Sequence, residues 1–107
     1  MNRPCNAHDL KILPEYFDAV QSGIKNFEIR KNDRGYKVGD ILLLREWYRG
    51  KYTGRQICKK VQYIYFGDGT YGLSAEYCIL GLQTSTVNIT MNGNNSTQIG
   101  FVQNLTM

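Results

Sequence analysis

The sequence predicts a mainly β domain of the α+β class, a small β-barrel of about five strands with one early helix. Three observations predict it. Apolar residues recur at every second position in five short stretches, which is the spacing of half-buried strands. Glycine-bearing corners, among them Gly35, Gly39, Gly54 and Gly67, separate those stretches. One stretch alone, after Pro14, carries the three- to four-residue apolar spacing of a helix. Short strands between glycine corners favour a barrel over a sandwich, and 107 residues hold one domain with one modest core.

The elements follow in order. His8 to Leu13 alternates and forms the first strand. Pro14 opens a helix running to about Ser22, since a proline there forgoes only an N–H that has no intrahelical partner. Glu15 and Asp18 suit the positive end of that helix. Phe17, Val20 and Ile24 share a face, which assigns Phe17 and Val20 to the core, and Gly23 supplies a left-handed stop. The second strand spans about Lys25 to Lys31, with Phe27 and Ile29 read as an inward-facing apolar row. Asn32-Asp33-Arg34-Gly35 is a turn and Val38-Gly39-Asp40 a tight corner before the third strand, Ile41 to Tyr48. Residues 49–54 read as a loop, Arg55 to Phe66 as the fourth strand, 67–72 as a loop, and Glu76 to Leu82 as the fifth.

Residues 83–107 are a different material. They carry no charge, whereas all 13 Lys/Arg and all nine Asp/Glu fall in residues 1–82. The chain therefore divides into a domain at 1–82 and an Asn/Thr-rich extension at 83–107. Val87, Ile89 and Met91 alternate up to Asn92-Gly93, a type I′ hairpin signal, and Ile99 and Phe101 alternate beyond it. Such an extension reads as a hairpin, as an edge that pairs with a second copy to make a homo-oligomer, or as a disordered polar tail.

No run approaches the ~20 apolar residues of a membrane span, so no membrane partner is expected. Cys5, Cys58 and Cys78 are odd in number and scattered, which favours reduced thiols in a cytoplasm over a disulfide framework. With a single histidine, His8, and no cysteine cluster, neither a metal nor another cofactor is expected.

The chemistry concentrates in Gly23 to Asp40. Lys25, Glu28 and Arg30 lie beside the apolar row and can form a polar floor for an anionic ligand; the same trio can equally be a structural ion-pair network. Residues 25–60 hold eleven basic side chains against four acidic ones, an excess that attracts polyanions or simply makes a soluble basic face. Lys31 and Arg34 extend the basic run. Trp47, Tyr48 and Tyr52 interleave with Arg45, Arg49 and Arg55, a pattern suited to unstacked single-stranded bases. Trp47 can instead plug the barrel mouth.

The Gly-x-Lys-x-x-Glu-x-Arg pattern (Gly23, Lys25, Glu28, Arg30), with Val38-Gly39-Asp40, Arg45-Glu46-Trp47 and Tyr52-Thr53-Gly54-Arg55, resembles the ASCH domain family of the PUA-like superfamily. It looks closest to a small bacterial and phage branch of largely uncharacterised proteins, and the resemblance covers the first 82 residues. It implies an RNA- or nucleotide-binding module with a basic cleft beside the motif. The binding residues it suggests are Lys25, Glu28, Arg30, Lys31, Arg34, Arg45, Trp47, Tyr48, Tyr52 and Arg55. Some ASCH-like proteins are amidohydrolases that use a lysine and a threonine three residues later. Lys25 matches the lysine, but Glu28 stands in the threonine position, so the hydroxyl nucleophile is missing. Others are ribonucleases, for which Lys25 and Glu28 are the candidate acid and base. A phage or bacterial protein-interaction module is the remaining alternative.

Overall fold

The computed structural model of the chain describes residues 5–85, 87–91 and 97–101, the last two segments as backbone. Strand β1 (Ala7–Ile12) buries His8, Leu10 and Ile12 and exposes the residues between them. Helix α1 (Pro14–Gln21) starts at once, with the Leu13 carbonyl accepting from the Tyr16 and Phe17 N–H groups. It buries Phe17 and Val20. Gly23, at φ +86°, stops it, and the Lys25 N–H bonds back to the Ala19 carbonyl. The chain has thus left the helix before Ile24, which is 82% exposed instead of sharing the buried face.

Strands β2 (Phe27–Lys31), β3 (Ile41–Tyr48), β4 (Lys51–Phe66) and β5 (Tyr77–Leu82) complete a sheet of order β1-β3-β4-β5-β2. β1 runs parallel to β3, and the other pairings are antiparallel. The long β4 pairs with β3 along its first ten residues and with β5 from Val61 onward, so both halves of the sheet share it. Leu10, Ile12, Leu42, Leu44, Val61, Leu80 and Leu82, with Phe17 and Val20 from α1, form one apolar core between them.

The expected barrel does not close. β1 and β2 are the two ends of the five-strand order, and no backbone ladder joins them. Side chains bridge the gap instead: Arg30 Nη2 donates to the Lys11 carbonyl at 2.8 Å and Arg34 Nη1 to the Asp9 carbonyl at 3.1 Å. These guanidinium groups occupy carbonyls where a fifth, closing pairing would lie, so the fold is an open five-stranded sheet with a side-chain seam.

β4 also starts earlier than the composition of residues 49–54 suggests. Tyr48 pairs with Lys51 across a two-residue turn, Arg49 (φ +53°) and Gly50 (φ +84°), the positive pair a type I′ turn requires. Further along, Arg45 pairs with Gln56 and Trp47 with Tyr52, leaving Glu46 opposite Thr53-Gly54-Arg55 in a bulge. After β5, strands β6 (Val87–Met91) and β7 (Thr97–Phe101) pair antiparallel, and β6 joins β4 at Val87–Cys58. The Asn92-Gly93 turn signal lies outside the described residues.

Candidate ligand cleft

Three carboxylates are buried on the inner side of the sheet, and each organises a network. Asp40, in the corner before β3, accepts from His8 Nε2 at 2.8 Å and from the Asn6 and Lys37 N–H groups. Burial opposes its charge, but these bonds, the His8 contact first among them, leave its pKa below the ordinary carboxylate value. His8 is therefore a satisfied structural histidine. Glu46 accepts from Arg55 through both oxygens and from the Thr53 hydroxyl at 2.6 Å. The Arg55 bonds, then the Thr53 bond, hold its pKa down at about 2. Arg55 also reaches Asp18 at 2.8 Å and lies 4.4 Å from the Phe17 ring centre, so the bulge is bolted to helix α1. Its guanidinium is correspondingly raised above its usual pKa by the same carboxylate bonds.

The third network differs because it opens outward. Glu28 is 3% exposed. Its Oε2 accepts from Lys25 Nζ at 2.6 Å, and its Oε1 accepts from Arg30 Nε and Nη2 at 3.0 and 2.8 Å. Lys25 also donates to the Phe27 carbonyl at 2.7 Å. Beside these groups lies a cleft of about 440 Å³ between the β1–α1 junction and β2. Lys25, Glu28 and Arg30 line its charged side, while Ile12, Leu13, Tyr16, Phe27 and Ile29 form apolar walls. The Lys25 ammonium sits 5.5 Å from the Tyr16 ring centre and 5.0 Å from that of Phe27.

This placement corrects the reading of β2. Phe27 and Ile29 do not form an inward row; they are 41% and 54% exposed, and the charged Glu28 and Arg30 point inside. The inversion follows from the seam, where the inner face of β2 meets a cleft rather than packed core.

A family model described as a domain of unknown function, DUF3850, matches residues 7–82, from the first residue of β1 to the last of β5. The chain belongs to the DUF3850 family. Every element that builds the cleft lies inside the DUF3850 match. The chain is also 48% identical over 50 residues to the "Uncharacterized 12.9 kDa protein in GpA 3'region" of Escherichia phage P2. That match spans 47% of this chain and 46% of the phage protein, so the chain covers about half the length of this curated relative.

Within the DUF3850 domain, the ten residues singled out from sequence fall into separate groups. Lys25, Glu28 and Arg30 share the cleft. Arg34 braces the seam, and Lys31 is exposed at the far end of β2 opposite Tyr77. Arg45, Trp47 and Tyr52 form a stripe on the outer face: Arg45 stacks 3.7 Å from the Tyr52 ring centre and pairs with Asp9 at 3.1 Å. Tyr52 meets Trp47 edge-on at 4.8 Å, and Lys11 Nζ covers the Trp47 ring at 4.2 Å. Trp47 thus plugs no barrel mouth. Tyr48 sits at the hairpin tip with Arg49, apart from both groups. Arg55 is committed to Glu46.

Sequence reasoning missed Lys11, Leu13 and Tyr16 as cleft residues. Lys11 is the connecting piece, because it lines the cleft and its ammonium touches the outer stripe. Cys58 and Cys78 are buried thiols whose pKa values burial raises, which disfavours the reactive thiolate form. Among the described residues no cluster of three metal-ligating side chains occurs, and no helix is long and apolar enough to cross a membrane.

Proposed function

We propose that this DUF3850 chain binds single-stranded RNA or a nucleotide in the seam cleft. One observation carries the reading: the buried Lys25–Glu28–Arg30 network lines an open cleft of about 440 Å³ with aromatic and aliphatic walls. The trio keeps a net charge of +1 there, beside ring faces suited to a base. Lys11 links the cleft to the Arg45–Trp47–Tyr52 stripe, which offers a guanidinium plane to a strand leaving it. The resemblance of the Gly23-to-Arg30 pattern to ASCH domains points the same way. Catalysis is the weaker reading, because Glu28 is 3% exposed and its charge is already held by bonds from Lys25 and Arg30.

Fluorescence anisotropy with labelled single-stranded RNA at low salt tests the proposal. Lys25→Met, which keeps the aliphatic stem, is expected to weaken binding about tenfold and to flatten the log–log salt dependence by about one unit. A wild-type protein that leaves the RNA free at low salt overturns the proposal. Unchanged binding by a folded Lys25→Met protein moves the site elsewhere.

The extension supports a second, independent partner. β7 pairs only with β6 among the described strands, so its other edge offers a backbone ladder to a second copy. Light scattering should then show a smaller assembly for residues 1–85 than for the full chain; equal masses per subunit count exclude pairing through this edge.

A further inference from the structure

We infer that the outer face of β2, β5 and the second half of β4 is a stacking platform for single-stranded nucleic acid, taking the base next to the one in the cleft. The inference rests on the nucleotide-binding reading and names where the second nucleotide of the same strand goes.

Register builds the platform. Phe27 on β2 lies opposite Gly81 on β5, and Gly81 lies opposite Tyr63 on β4; the neighbouring row is Ile29, Ile79 and Tyr65. The buried positions between the rows are Glu28, Leu80 and Ile64, so both rows face outward. Tyr63 is 65% exposed. Gly81 leaves a gap between two ring-bearing positions. Its backbone is outside the left-handed region that favours glycine, and an added Cβ would meet only Tyr63 atoms, at 3.5 Å or more. Neither conformation nor packing requires a glycine here, and a glycine inside a strand weakens it. What the missing side chain provides is clear space. Two strand spacings, about 10 Å, separate the Phe27 and Tyr63 backbones, which leaves room for one flat group between two rings.

A further ring is held at the far side. Tyr71 is 91% exposed and adopts a left-handed φ of +58°, a strained backbone for a bulky residue that gains no burial from it. The Gly69 N–H to Leu73 carbonyl bond and the Gly67 N–H to Tyr77 carbonyl bond pin its loop. The Tyr71 ring centre stands 6.5 Å from that of Tyr65.

Charge and continuity identify the occupant as a nucleic-acid strand. The charged residues flanking the rows along β2 are Lys25 and Lys31, while Glu28 is turned inward, which suits a phosphate backbone. Phe27 and Ile29 also line the cleft, so a strand with one base there meets the platform at its next nucleotide. The Arg45–Trp47–Tyr52 stripe beyond Lys11 then serves the other end of that strand. Stacking on such rings tolerates any base.

Isothermal titration of the full chain with uridine 5′-monophosphate and with octauridylate, at one salt concentration, tests this. Octauridylate is expected to bind the wild type more tightly than the monophosphate. Gly81→Val fills the gap with a strand-favouring side chain and should melt no lower than the wild type. It should leave monophosphate affinity unchanged and weaken octauridylate about tenfold, as should Tyr63→Ala. Unchanged octauridylate affinity in both folded variants overturns the inference and leaves the cleft reading standing. So does a wild-type dimer in light scattering that Tyr63→Ala splits, because the face then belongs to a second copy. If neither ligand binds the wild type, both readings fall together.

Discussion

At Glu46, two donors hold a carboxylate that the fold buries, so protonating it and loosening the bulge are linked events. Its folded pKa, about 2, lies below the ordinary value of 4.5. The stabilisation it contributes is therefore present above about pH 4.5 and is lost as pH falls through about 2. Glu46→Gln should melt below the wild type at pH 7, with the gap narrowing as acid removes the same charge from the wild type. Thermal melts by circular dichroism from pH 7 to pH 2 check this; a constant gap refutes it. The same residue shows what a linear reading can miss. Arg55 has the composition of a phosphate ligand, but its partner is nine positions earlier and is brought opposite by a bulge that no pattern of alternation reveals. Asp40 likewise read as part of a tight corner, while its bond to His8 spans 32 positions. By contrast, Lys25, Glu28 and Arg30 were legible together because a turn and one strand carry all three.

Among the elements, two glycines separate backbone strain from collision. Gly50 is the second residue of the β3–β4 turn at φ +84°, with open space where a side chain would go. Gly50→Ala should cost about 1–2 kcal/mol, the left-handed penalty alone. At Gly67 a Cβ would run into the Ser74 carbonyl oxygen, with the Tyr77 and Leu73 carbonyls 2.8 and 2.9 Å away. Gly67→Ala should therefore cost more, about 3 kcal/mol, because three backbone groups must shift. Urea melts of the two variants rank them, and equal midpoints would contradict the clash. The elements themselves were largely readable: helix α1 and the course of β3 and β5 follow from periodicity and from Pro14 and Gly23. The start of β4 was not, since Arg-Gly lacks the Asn-Gly or Asp-Gly pair that marks a two-residue turn. The facing of β2 was not either. Apolar residues between charged ones normally point inward, and here a cleft reverses the preference.

For the molecule as a whole, the core cluster runs from Leu10 to Leu82, drawn from the five-strand sheet, α1 and Tyr36 of the β2–β3 connection. A chain ending at Ser85 should keep a single cooperative melt; a broad, non-cooperative one would show that the β6–β7 pair is needed for folding. The barrel expectation failed at this scale for a local reason, the arginines that take the seam carbonyls. Register makes the seam measurable. Asn26 and Asn32 bond toward β5, so the alternate amides of Phe27, Ile29 and Lys31 face the gap, and Ile29 should exchange its amide hydrogen faster than Glu28 or Arg30. Among the described residues, the hydrogen-bonded latch to β1 is two guanidinium groups, Arg30 on β2 and Arg34 in the turn after it. A latch made of side chains can be lifted and reset without breaking a ladder, which makes this line the cheapest place for the domain to breathe. Any occupant that grips both banks would act as a clasp, so tighter capture and a higher melting temperature should rise together, each reporting on the other.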